Sequence, residues 1–357
     1  MLFIDVKTRS GNIKFQYTIS TPKSATADAI DSHLPVVLWF HPFAFPYVFH
    51  AQFADPLLRQ FNLVIFSLRA HGETGGDELP EGYGVREAAE DALAFMDALS
   101  LPRCHFVAMD YGSSIALEIA MSNPNRVISL CIISQTCLQE PPDTLEGHQQ
   151  LYDTWVASLP NPNERDEELS MEAGFGFAQL MFSNEFSNLG QAMFNIVHSM
   201  AQKNWGYYGL KNFRLAYIEF YRNRKSPSIE RLSRIRCPVK LIYGTDDIAY
   251  PQKHTERFFK ALRKAGVDVS LFVVPHAPHF VSVDFADRIN PVIHHFITRN
   301  EVRRVLPVLD EVVSPWDSIL RAAGWDPEGL NSDHDADILI SYPPENRDTR
   351  PCNCRAR

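Results

Sequence analysis

Apolar runs recur along the chain, alternating with stretches whose apolar positions repeat every three or four residues. VVLWF at 36–40 and LCIIS at 130–134 have almost no polar alternation. That is the pattern of strands covered on both faces. Strands are expected over 14–19, 36–40, 63–67, 104–109, 127–134, 239–243 and 267–274. Between them, residues 85–99 place apolar side chains at 85, 89, 92, 93, 96 and 99, one face of a helix. Repeated alternation of this kind predicts an α/β fold, a mostly parallel twisted sheet with helices on both faces. Residues 3–6 and 14–19, joined through Ser10-Gly11-Asn12, read as an opening antiparallel hairpin.

The alternation stops between Leu138 and Arg236. There the helical pattern dominates and aromatic residues crowd, among them Trp155, Phe177, Phe194, Trp205, Phe213 and Tyr217. Arg236-Cys237-Pro238 then restarts the sheet pattern. This divides the chain into a core (1–137), an inserted helical cap (138–235), a second core segment (236–299) and a C-terminal helix with a polar tail (300–357). The tail helix is expected over 302–323. Each aromatic taken singly reads as core packing. Together, an aromatic helical insert beside a sheet edge suits an apolar ligand cavity.

Charge and cysteine content narrow the function classes. With 34 Lys and Arg against 43 Asp and Glu, the 357-residue chain carries −9. An acidic balance argues against nucleic acid and anionic membrane surfaces as partners. No stretch approaches 18 apolar residues, so no membrane span is expected. The N-terminus does not read as a secretory signal, because Asp5 interrupts it and no charged-then-apolar pattern follows. Cys104, Cys131, Cys137, Cys237, Cys352 and Cys354 form no CxxC pair, which points to free thiols and a cytoplasmic setting. Cys352-Asn-Cys354 is too tightly spaced and too poor in ligands for a metal site.

The chemistry concentrates in residues 104–120, CHFVAMDYGSSIALEIA. A strand runs almost directly into a helix, with Asp110 at the junction and small residues, Ala108 and Gly112, two positions to either side. A sharp strand–turn–helix of this kind lifts one side chain onto a strained turn above the sheet. It also sets that side chain at a helix N-terminus, which favours negative charge. Further on, LIYG leads into Thr245-Asp246-Asp247, and FVVP leads into His276-Ala277-Pro278-His279-Phe280. Both turns follow strands whose carboxyl ends are where such sheets bind ligands. The order along the chain is nucleophile, acid, histidine.

With these motifs in place, the chain resembles the α/β-hydrolase fold family over roughly residues 3–299. WFHPF (39–43) stands where the family has its oxyanion loop. SLRAHGETGG (67–76) resembles the family's Asp-x-Arg-Gly-x-Gly-x-Ser segment, and NPNRVISLCIIS (123–134) its Pro-x-Arg-Val-x-x-Leu strand. GTDDIAYP resembles the acid turn and PHAPHF the histidine turn, which selects Asp247 over Asp246 and His279 over His276. The loops resemble those of fungal members. Two departures stand out. Pro42 replaces the usual Gly and offers no N–H, so the resemblance leaves the N–H groups of Phe43 and Tyr111 as oxyanion donors. Asp110 replaces the nucleophilic serine; Ser113 and Ser114 fall inside the helix, off the turn.

An aspartate attacking an ester carbonyl gives an anhydride, a poor route. Attack on a saturated carbon gives an alkyl ester that a histidine-activated water can hydrolyse. In this fold an elbow aspartate is similar to that of epoxide hydrolases and dehalogenases. Both usually carry Trp after the nucleophile, where this chain has Tyr111, and halide binding suffers most from its loss. Epoxide opening needs a proton donor, usually a cap tyrosine. Tyr152, Tyr207, Tyr208, Tyr217 and Tyr221 are available, and Tyr207 or Tyr208 beside Tyr217 is the expected substrate-binding pair. The expectation is therefore an Asp110–His279–Asp247 triad acting on a small apolar substrate by epoxide hydrolysis, with no metal or organic cofactor. Two alternatives stay open: a hydrolase or lyase acting on esters, lactones or C–C bonds, in secondary metabolism for instance, and a non-catalytic ligand-binding protein. His41, Arg69 and His71 read as loop organisers, and His294-His295 as surface or packing residues. The segment 164–168 reads as solvated, and Gly82-Tyr83-Gly84 as a turn, since no phosphate-loop pattern follows it.

Overall fold

The apolar runs become interior strands because both of their faces are covered. The computed structural model describes residues 1–328 except 304, 306 and 308–310. In strand β3 (Val36–Phe40), Val36, Leu38 and Phe40 enter one hydrophobic core, while Val37 and Trp39 enter another across the sheet. Strand β6 (Cys104–Asp110) alternates likewise, with Phe106 and Ala108 on one side and Val107 and Met109 on the other.

The remaining strands are β1 (Leu2–Thr8), β2 (Gly11–Ser20), β4 (Asn62–Phe66), β5 (Gly75–Gly76), β7 (Val127–Gln135), β8 (Val239–Gly244) and β9 (Val269–Val274). They form one nine-stranded sheet in the order β1-β2-β4-β3-β6-β7-β8-β9, with the two-residue β5 paired to β2. The opening hairpin is antiparallel and tighter than its sequence suggested, closing at the Thr8–Gly11 pair. β2 also meets β4 antiparallel, and from β4 through β9 the ladder is parallel. Strands expected at 14–19 and 267–274 shift their starts. The first begins at Gly11, and the second only at Val269, after the turn at Gly266.

Between β7 and β8 the chain forms the helices Pro142–Ala157, Glu167–Phe182 and Asn188–Asn204. A further helical stretch from Leu210 to Arg222 follows, whose middle, Leu215–Glu219, is π-helical. Residues Met1–Trp325 make up one compact unit. Among the described residues no helix is long and apolar enough to cross a membrane. Cys104, Cys131, Cys137 and Cys237 are buried free thiols; Cys352 and Cys354 lie outside the described residues, as does the tail from 329 on.

Among the described residues of the helix expected over 302–323, only Asp317–Ala322 are helical. Pro307 and Pro315 explain the difference: each lacks an amide N–H and disfavours helical geometry in the residue before it. What anchors this stretch is Trp316, which is buried with its ring centroid 4.8 Å from that of Phe53.

The join between β6 and the following helix, Tyr111–Ser122, depends on one missing side chain. A Cβ on Gly112 would lie 2.6 Å from the carbonyl oxygens of Phe40 and His41. Those atoms end the central strand β3 and have no room to retreat. Gly112→Ala should therefore cost at least the roughly 1–3 kcal/mol typical of overpacking, read as a lower urea midpoint at unchanged m-value.

Candidate active site

Asp110 ends β6 and starts the helix in one step, with φ +47° and ψ −118°. A non-glycine residue in that region stores about 1–3 kcal/mol of strain, held by the surrounding structure. The strain raises the carboxylate out of the strand line and turns it toward two groups. Its Oδ2 accepts the Phe43 N–H at 3.1 Å. Its Oδ1 lies 3.6 Å from His279 Nε2. Ser113 Oγ donates to the Asp110 carbonyl, which pins the turn from within the helix.

His279 is fully buried, and its Nδ1 donates to Asp247 Oδ2 at 2.7 Å. The other oxygen of Asp247 accepts the Tyr250 N–H at 2.8 Å. Asp246 and His276, the rejected neighbours, point to solvent, with Asp246 bonded to Thr245 Oγ1 instead. Tertiary folding thus brings Asp110, Asp247 and His279 together from three loops at the carboxyl ends of β6, β8 and β9.

The charges support one another. Burial by itself would depress His279, but Asp247 and Asp110 on its two sides raise its pKa to about 10. Burial would raise Asp110. The hydrogen bond and charge of His279, together with the N–H groups of Tyr111 and Phe43, outweigh it and hold the carboxyl below its ordinary range. The resting arrangement near neutral pH is therefore carboxylate, imidazolium, carboxylate.

The loop-organising histidines behave as their sequence context suggested. His41 Nε2 accepts the Leu68 N–H at 2.9 Å and its Nδ1 bonds the Pro42 carbonyl at 2.7 Å, so both ring nitrogens are committed. Burial pushes its pKa down to about 3, and His71, on the neighbouring loop, falls to about 4. Arg69 ties the same loop to the backbone carbonyls of Ser10, Asp77 and Glu78. His294 bonds Gln60 at 2.7 Å in the helix Ala286–Arg299. Among the described residues no cluster of His, Cys, Asp and Glu could hold a metal ion.

The expected tyrosine pair needs correction. Tyr207 and Tyr208 are 42% and 84% exposed, on a short turn that follows the helix Asn188–Asn204. Trp205 takes the inward position there and stacks on Phe43 at 4.9 Å, which leaves the next two tyrosines outside. Tyr217 is buried, and its ring stacks on Phe43 at 4.6 Å. Tyr152 packs at the edge of the apolar core and Tyr221 is buried. Phe43, Trp205, Phe213, Tyr217 and Phe177 line a small apolar cavity of about 60 Å³ beside the loop that follows β3.

Four further residues escaped the sequence reading. Glu140, His148, Arg224 and Tyr250 are buried and form a polar cluster next to Tyr217. Tyr217 Oη and His148 Nδ1 are 2.8 Å apart, and Tyr250 Oη donates to Glu140 Oε1 at 2.6 Å. Arg224 Nη2 lies 3.0 Å from the same Glu140 oxygen. Glu140, His148 and Arg224 belong to no recognisable motif, whereas Tyr250 falls within GTDDIAYP. Only Tyr250, three residues past Asp247, carried any positional hint.

Residues 35–286 match the alpha/beta hydrolase fold family. Two curated relatives have different activities in their names. A putative carbamate hydrolase RutD of Rhizobium rhizogenes is 25% identical over 250 residues, 70% of this chain and 87% of its own. Epoxide hydrolase 3 of Siraitia grosvenorii is 23% identical over 300 residues, 74% of this chain and 92% of its own. Among solved structures, a thermophilic esterase from Thermogutta terrifontis superposes with TM-score 0.63 at 15% identity, covering 84% of this chain and 99% of that one. The enol-lactonase from Burkholderia xenovorans does so with TM-score 0.64 at 14% identity, covering 83% and 100%. These structural likenesses concern the fold.

The charge arrangement makes a direct prediction. Asp110→Asn removes one of the two carboxylates that hold the His279 proton. The imidazole pKa should fall from about 10 by roughly 1–3 units, the range for losing an adjacent opposite charge, as read by ¹⁵N-histidine NMR across pH 6–11.

Proposed function

The chain belongs to the alpha/beta hydrolase fold family, and from that premise we propose that it opens epoxides of small apolar molecules through an alkyl ester on Asp110. One observation carries this reading: Asp110 Oδ2 already accepts the oxyanion-loop N–H of Phe43, while Oδ1 faces His279 Nε2 at 3.6 Å. An enzyme that attacks ester carbonyls needs that N–H for the substrate's oxygen. Here the nucleophile's own oxygen occupies the place. The site is therefore suited to an attack in which the carboxylate forms the ester and the substrate supplies a saturated carbon.

Each step then has its residue. Asp110 Oδ1 attacks a ring carbon, the C–O bond breaks, and the alkoxide takes a proton from Tyr217. Ester formation cancels the Asp110 charge, so one of the two carboxylates that raise the His279 pKa is gone and the ring can release its proton. Neutral His279, oriented by Asp247, then takes a proton from water. The hydroxide adds to Cγ of Asp110, and the Phe43 and Tyr111 N–H groups receive the oxyanion. Collapse releases the diol and restores the carboxylate and the imidazolium, with the water oxygen retained on Asp110; the proton His279 released to solvent is matched by one that returns to Tyr217.

Halide release fits less well. Trp205 Nε1 donates to the Ala70 carbonyl and Trp155 Nε1 to the Trp205 carbonyl, so neither indole is available to a leaving halide. The helices between β7 and β8 serve in this reading as the cap, with the aromatic cavity beside Phe43 as the apolar end of the substrate site. At about 60 Å³ that cavity is well below the roughly 300 Å³ of the smaller ligand pockets, so binding requires the aromatic stack to part. The relative named an epoxide hydrolase supports this reading, while those named putative carbamate hydrolase carry a different activity in their names.

The test separates the two half-reactions. His279→Gln should still alkylate but not hydrolyse, so incubation with styrene oxide or 1,2-epoxyoctane should leave the protein heavier by one epoxide mass on the peptide that contains Asp110. Asp110→Asn should give no adduct and no diol. Ester or lactone turnover that survives Asp110→Asn would overturn the proposal. A second expectation concerns Tyr217→Phe, which should lower the alkylation rate by about 100-fold or more, the scale of general acid catalysis, while hydrolysis of a preformed ester is unchanged in stopped-flow measurements.

A further inference from the structure

Two buried polar atoms beside Tyr217 have no hydrogen-bond partner: His148 Nε2 and Glu140 Oε2. An orphan of this kind typically costs about 1–3 kcal/mol, and here two occur on neighbouring side chains. His148 Nε2 comes within 3.9 Å of Glu140 Oε1, near but beyond hydrogen-bond reach. The other ends of both groups are fixed. His148 Nδ1 is 2.8 Å from Tyr217 Oη, and its ring stacks on Tyr221 at 4.6 Å and 13°. Glu140 Oε1 accepts from Tyr250 Oη and faces the Arg224 guanidinium, which Ser114 and Thr136 hold in turn. Oε2 and Nε2 are left over, as are Nε and Nη2 of Arg224, and of these a protonated carboxyl oxygen and an imidazole nitrogen are complementary donor and acceptor.

Tyr217 sits on the π-helical turn Leu215–Glu219, a distortion that recurs at functional positions. Through Phe43 its ring packs against the loop that holds Asp110. At the far end, Glu140 and His148 line a wide surface cavity of about 800 Å³ together with Tyr250, His254 and Arg257. The cluster therefore spans the distance from the reacting oxygen to solvent.

We propose that Glu140 and His148 form a proton relay that resupplies Tyr217 during epoxide opening, an inference that rests on the epoxide reading. The balance is simple. Once the ring and the carboxyl close the 3.9 Å between them, Glu140 passes its proton to His148 Nε2, His148 Nδ1–H passes one to Tyr217 Oη, and Tyr217 passes its own to the alkoxide. The bonds are three O–H or N–H broken and three formed, with no ionised tyrosine or imidazolium left behind. Glu140 ends as a carboxylate facing Arg224 and regains a proton from the cavity, while His279 releases one to solvent. Burial raises the Glu140 pKa against the opposing Arg224 charge and Tyr250 bond, and burial lowers His148 to about 4, so the ring starts neutral.

The test uses full-length protein in the His279→Gln background, where only alkylation by styrene oxide is read, by mass spectrometry over time. Adding His148→Ala should slow adduct formation by at least about tenfold, a fraction of what general acid catalysis supplies. Imidazole at tens of millimolar should restore most of that rate, since the cavity is wide enough to admit it. Glu140→Gln, which keeps the acceptor for Tyr250 but has no acidic proton, should slow the same step with His148 intact. If adduct forms at the parent rate in both variants, or if imidazole fails to rescue a folded His148→Ala protein, the relay is wrong and the Asp110 chemistry stands. If the His279→Gln parent forms no adduct with any epoxide, the epoxide reading falls and takes the relay with it.

Discussion

The buried carboxylate–imidazolium–carboxylate arrangement is the constraint around which the rest of the site is organised. Three ionisable groups sit where water is excluded, which is tolerable only because each charge has an opposite neighbour and the outer oxygens have N–H donors. Removing one partner of such a buried pair typically costs about 3–5 kcal/mol, because the other charge is left uncompensated. The elbow strain at Asp110, the Phe43 N–H and the Tyr250 N–H on Asp247 are the devices that keep the geometry in place. Linkage follows the same signs. The raised His279 pKa stabilises the folded state below the ring's ordinary value, and that contribution is lost as pH rises toward about 10. The depressed Asp110 pKa contributes above the ordinary carboxylate range and is lost on acidification.

Substituting aspartate for a serine at the elbow changes more than the nucleophile. A serine leaves the oxyanion donors open; a carboxylate brings a second oxygen that settles onto one of them. The same N–H that would hold a substrate carbonyl holds the Asp110 carboxylate at rest and, in the proposed cycle, the ester carbonyl oxygen afterwards. Pro42 sharpens the effect by withholding a donor from the loop, so that Phe43 carries the role. The aromatic stack of Tyr217, Phe43, Trp205 and Phe213 then ties the position of this loop to the helices between β7 and β8.

A second polar cluster lies across this stack from the triad. Glu140, His148, Arg224 and Tyr250 are buried polar residues in an otherwise apolar aromatic layer, and Tyr250 links the two groups, its amide on Asp247 and its hydroxyl on Glu140. Buried networks of this type stiffen a site when satisfied and invite chemistry where they are not. The atoms left without a partner are His148 Nε2, Glu140 Oε2 and two nitrogens of Arg224, one side chain or more beyond the tyrosine.

Much of this architecture is local in origin and is therefore legible in the order of residues along the chain. Period and continuity of apolar residues specify strands such as Val36–Phe40 because burial on both faces leaves no room for polar alternation. The elbow at Asp110 and the turns that carry Asp247 and His279 are also local, since each needs only a strand end, small neighbours and a helix start. Helix 302–323 failed because prolines override apolar spacing. Tyr207 and Tyr208 failed because a turn's facing depends on which neighbour, here Trp205, fills the interior first. By itself the sequence determined the sheet, the elbow and the identity of the three charged residues. Tertiary structure alone decided which tyrosine faces the site, that Asp110 occupies its own oxyanion donor, and that Glu140, His148 and Arg224 meet. Those contacts join residues far apart in the chain, and single-sequence periodicity carries no record of distances between elements.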